Sequence, residues 1–91
     1  MKKIQSAHVK LKTATPSVTL PQEVTSGNLL VVRSEGLIID VKDSSENKWK
    51  RASAGQWTTR TAISGPVTVT VTLPGAGHTD NAITVEEILP E

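Results

Sequence analysis

From Val67 to Leu73 the chain reads VTVTVTL, with apolar and hydroxyl side chains taking turns at every residue. Successive side chains of an extended chain point to opposite sides, so a period of two marks a strand with one dry and one wet face. Val67, Val69, Val71 and Leu73 share the dry face; Thr68, Thr70 and Thr72 share the wet one. Burying each of the four apolar side chains is worth roughly 1.5–3 kcal/mol. A slip of one residue would expose all four, so the register of this strand is firmly specified. Such a strand needs hydrogen-bonded neighbours and a second layer over its valines.

The rest of the chain can supply both. Twelve Thr, ten Val and six Ile make 28 of 91 residues β-branched, side chains that suit a pleated surface better than a helix. Turn signals recur at short intervals: Pro16, Pro21, Ser26 to Asn28, Gly36, Asp43 to Asn47, Gly55, Gly65-Pro66 and Pro74 to Gly77. The runs between them predict strands over Lys3 to Leu11, with Ala7, Val9 and Leu11 inward; Ser17 to Leu20; Asn28 to Ser34; and Leu37 to Lys42, with Leu37, Ile39 and Val41 on one side and Ile38 opposite them. Further strands are predicted over Lys48 to Ser53, Gln56 to Ile63 (Trp57, Thr59, Thr61 and Ile63 on one side), Val67 to Leu73, and Ala82 to Leu89 (Ile83 and Val85 inward). Leu29 to Val32 is apolar on both faces, which predicts a central strand. Ile88 breaks the closing alternation, which predicts a bulge near Glu86-Glu87. Residues 12 to 27 read as a crossover. The expectation is an all-β chain: one antiparallel β-sandwich domain of seven or eight strands over residues 1–91.

Charge and composition narrow the function classes. The net charge of +1 is too small to announce a nucleic-acid partner. The absence of cysteine excludes disulfides and thiolate metal sites, and two histidines are too few for an ordinary zinc site. No cofactor is expected. The longest apolar run, Leu29 to Val32, is far too short for a membrane-spanning helix, and no export signal follows the initial MKK, so no membrane partner is expected and the expected location is the cytoplasm or a particle assembled there. Lys2, Lys3, Lys10 and Lys12 meet no acid in the first twelve residues; Asp80, Glu86, Glu87 and Glu91 meet no base in the last twelve. Pairing of the first and last strands would bring the two sets together. Contact between subunits is the alternative.

Three stretches, SVTLPQEVTSGNLLVV, IDVKDSSENKWKRA and GPVTVTVTLPGAGHTDNAITVEEI, resemble in that order a loose group of bacterial and phage β-sandwich domains with a GNLLVV, DSxGNxW, VTVT pattern. The resemblance implies an immunoglobulin-like or jelly-roll sandwich, of a kind attached to secreted and phage-particle proteins. This sequence departs from the pattern at Glu46, where the group has glycine, and at Ile88, where it has an aromatic residue.

No constellation points to catalysis. His78 and Asp80 lie in a Gly-rich loop without a positioned nucleophile, phosphate loop or carboxylate pair. Asp40, Asp43, Ser44, Ser45, Glu46 and Asn47 gather oxygens but lack the spacing of a calcium loop, and a hairpin turn capped by Asp43 and Ser44 is the expected structure. Trp49 and Trp57 flank a basic stretch with Lys50 and Arg51; one indole is expected in the core, and Trp49 is expected exposed. The predicted function is therefore non-enzymatic: a structural subunit of a larger assembly, such as a capsid-decorating or tail-associated phage protein, docking on protein partners and forming a homo-oligomer. The candidate interaction surface is Lys2, Lys3, Trp49, Lys50, Arg51, Trp57, His78, Asp80, Glu86 and Glu87. The alternative is a carbohydrate-binding module that uses a tryptophan with Lys50, Arg51 and Gln56.

Overall fold

A computed structural model describes residues 2–11, 15–34, 37–73 and 81–89. Within them eight strands form two antiparallel sheets: β1 (Lys2–Leu11), β2 (Ser17–Thr19), β3 (Leu29–Ser34), β4 (Asp40–Asp43), β5 (Lys50–Ser53), β6 (Gln56–Arg60), β7 (Thr68–Thr72) and β8 (Asn81–Leu89). The larger sheet has the order β1-β8-β3-β6-β5, and the smaller one β2-β7-β4. The two sheets bury one shared aliphatic core.

The valine–threonine ribbon is the middle strand of the smaller sheet. Val67, Val69 and Val71 are each 0% exposed, and Leu73 is buried with them. They meet Leu30, Val32, Ile83 and Val85 of the larger sheet. On the other face hydroxyls pair across strands: Ser17 with Thr70 and Thr19 with Thr68, each at 2.9 Å. β3 is central in its sheet, between β6 and β8, as a strand apolar on both faces requires. Its Leu30 and Val32 enter the core, while Leu29, Val31 and Arg33 face outward.

Four expectations about local facing are corrected. Leu37 and Ile39 are 43% and 47% exposed, and Ile38 is buried instead. The Ile38 N–H donates to Ala54 O and the Ile39 N–H to Thr72 O, both at 2.8 Å. The chain thus passes from the β5–β6 turn to the edge of β7 between consecutive residues, which breaks the alternation; Val41 is buried again once β4 has formed. Second, β6 ends at Arg60, and Ile63 lies beyond it, 59% exposed.

Third, the irregularity near the chain ends belongs to β1. β8 pairs with β3 without a shift, whereas the β1 register jumps between Lys3 and Gln5 and leaves Ile4 extra. The alternation of β8 therefore continues, and Glu87 follows Ile83 and Val85 to the inner face. Fourth, the turn after Asp43 joins two sheets and is not a hairpin. Its left-handed residue is Glu46 (φ 59°), a conformation that glycine adopts most readily. Asp43 holds the turn: Oδ1 accepts from the N–H of Ser45 (2.7 Å) and of Asn47 (3.2 Å).

The first and last strands do pair, and Lys3 Nζ lies 3.6 Å from Glu86 Oε2.

Candidate docking face

Strand pairing sets the outer face of the larger sheet. The pairs Lys3 with Ile88, Ile88 with Leu29, and Leu29 with Arg60 make one continuous row across four strands. Its middle is aliphatic and its two ends are cationic. The next row runs Ser6, Glu86, Val31, Thr58, Lys50. Glu86 is the acid of these two rows, and it is already engaged: Oε1 accepts from Arg33 Nη1 at 2.8 Å, and Oε2 faces Lys3. Lys50 and Arg60 have no carboxylate partner among the described residues. The face thus has an apolar centre inside a polar rim, in which Lys3 and Arg33 are paired with Glu86 and Lys50 and Arg60 are not. The smaller sheet presents the opposite chemistry, a hydroxyl face of Ser17, Thr19, Thr68, Thr70 and Thr72 with Asp40 and Lys42 on its edge strand.

Of the candidate residues, the fold brings Lys3, Lys50 and Glu86 to this face, with Lys2 exposed at its end. Four others, Glu87, Trp49, Trp57 and Arg51, turn elsewhere. Glu87 is 1% exposed, so it cannot contribute to a surface. Its Oε1 accepts from Gln5 Nε2 (2.7 Å), and its Oε2 accepts from the Thr25 N–H (2.8 Å) and Asn28 Nδ2 (2.9 Å). These donors come from β1 and from the segment entering β3, so one carboxylate ties three parts of the chain together. Gln5 extends the tie through both polar atoms of its amide to the Gln22 backbone.

Trp49 and Trp57 are both half-buried and pack against the core. Trp49, expected exposed, donates its Nε1–H to Asp43 Oδ2 at 2.8 Å. Trp57 carries the Arg51 guanidinium 5.8 Å from its ring centroid, and Arg51 Nη2 also donates to Ile38 O (3.3 Å). Arg51 thus closes the open edge of the sandwich over an indole. His78 and Asp80 lie outside the described residues. Among those described, no group of three or more His, Asp or Glu gathers for a metal.

Sequence reasoning missed Leu29, Arg33 and Ile88 as parts of this face. Their individual alternation was legible; that β3 and β8 lie side by side was not. Comparison with known proteins adds no relative: no family model matches the chain, and no curated protein or solved structure matches it.

Proposed function

We propose that this chain is a non-enzymatic docking subunit of a larger assembly, in the manner of a capsid-decorating or tail-associated phage protein, and that its sandwich is a jelly roll. The strand order supports the second point. Wrapping a long hairpin pairs β1 with β8, β2 with β7 and β3 with β6, and lays β8 beside β3 and β7 beside β4; all five pairings are present. Only β5 departs, pairing with β6 instead of extending the smaller sheet beside β4. Jelly rolls serve widely in viral shells and in lectins. The docking reading rests on the row Lys3, Ile88, Leu29, Arg60: an aliphatic centre between cations, on a sheet face that no other element of the described chain covers.

The test uses particles purified from cells whose coding sequence carries Lys3→Glu with Arg60→Glu. The wild-type chain should co-sediment with particles in stoichiometric amount, and the equally folded double variant should stay in the supernatant. A wild-type chain that is absent from particles and monomeric at every concentration overturns the reading.

A further inference from the structure

At one end of this face the outer surface deepens into an open groove of about 660 Å³. Leu29 and Ile63 give it aliphatic walls, Lys48, Lys50 and Arg60 surround it, and Thr58 adds a hydroxyl. Glu46 is the one acid among its lining residues. None of the three cations has a carboxylate partner among the described residues. Arg60 is held in place by a 3.3 Å bond from Nη1 to Gly27 O.

Lysines on an edge strand commonly serve only to keep other strands away. β5 is such an edge: short, exposed along its whole length, and shifted in register between Arg51 and Ser53. That role accounts for Lys50. It does not account for Arg60, which sits one strand inward, or for Ile63, a large aliphatic side chain left in water beside three positive charges.

We infer that the groove binds an acidic polypeptide segment of a partner protein, with carboxylates on Lys48, Lys50 and Arg60 and an apolar side chain against Ile63 and Leu29. The inference rests on the docking reading and gives that face its partner chemistry. Charge complementarity selects an anionic occupant, and the exposed isoleucine selects a peptide among anions. A nucleic acid would call for aromatic stacking. Both indoles here are packed against the core, and the chain has no Phe or Tyr.

The probe is a fluorescein-labelled peptide of repeating Asp-Glu-Leu units, titrated with the intact chain and followed by anisotropy. Polyglutamate and a single-stranded oligonucleotide serve as parallel probes. The Asp-Glu-Leu peptide should bind best, and its affinity should fall as salt rises. Lys50→Glu with Arg60→Glu should weaken it by roughly a hundredfold, about tenfold per reversed charge. Ile63→Ser should weaken the peptide severalfold and leave polyglutamate unchanged. Circular dichroism melts confirm that the variants fold; should the double variant unfold, Lys48→Glu, in the loop before β5, takes its place. Equal binding by wild type and charge-reversed chain overturns the inference, and so does an oligonucleotide that outcompetes the peptide. Particle association that persists while the peptide fails to bind removes the groove alone. A peptide that binds while the chain is absent from particles removes the assembly reading alone.

Discussion

Glu87 shows how much one side chain can be constrained by strand phase. Two adjacent glutamates look interchangeable in sequence, yet Glu86, at the outer face, pairs with the half-exposed cations Arg33 and Lys3, and Glu87, at the inner face, is a buried acceptor of three N–H donors. Burying a carboxylate without a cation is tolerable only when its lone pairs are satisfied, and here backbone and amide donors do this. Replacing Glu87 by Gln turns one acceptor into an amide N–H that confronts a donor. Glu87→Gln should cost about 1–3 kcal/mol in urea unfolding. Glu86→Gln should cost less, about 1 kcal/mol, because its cation partners stand half in water and the amide oxygen can still accept from Arg33. Equal losses for the two would contradict the assigned phase. Glu46 makes a related point. The turn signals from Asp43 to Asn47 located the turn, but not that Glu46 would be its left-handed residue.

At the level of elements, legibility followed the regularity of the hydrogen-bonded ladder. β7, β3 and the inner face of β8 were readable because an uninterrupted ladder preserves the two-residue period. Prediction failed wherever the chain left one ladder for another. Ile38 bonds to the turn between β5 and β6 while Ile39 bonds to β7, and Ile63 follows a strand that has already ended. The bulge was sensed in the right neighbourhood but belongs to the partner strand, since one strand's sequence does not reveal which side of a pair carries the extra residue. The face of β7 gives a sharp test. Val69→Thr is nearly isosteric but puts a hydroxyl into the core, and should cost about 1–3 kcal/mol. The reverse change on the wet face, Thr70→Val, removes one hydroxyl from an exposed pair and should cost less than about 1 kcal/mol. Thermal or chemical unfolding of both variants measures the difference. Similar costs would mean that the two faces are not partitioned as described.

For the whole molecule, the fold class was written in local periodicity, and the proposed docking face was not. Leu29, Ile88, Lys3 and Arg60 lie on four strands scattered along the chain, and only the order β1-β8-β3-β6 makes them neighbours. The reading from sequence placed the working surface on the tryptophans and the charged ends. The indoles pack half-buried against the aliphatic core, and the face proposed here lies on the outer side of the larger sheet. The two sheets then differ in kind, one with hydroxyls satisfied by each other and one with cations still unpaired. The most direct measurement is two-dimensional amide NMR of the intact chain during titration with the Asp-Glu-Leu peptide. The perturbed amides should cluster at Leu29, Lys48, Lys50, Thr58, Arg60 and Ile63, with Ser17, Thr19, Thr68 and Thr70 unmoved. Perturbation centred on the hydroxyl face, or none at saturating peptide, would contradict the assignment of this surface.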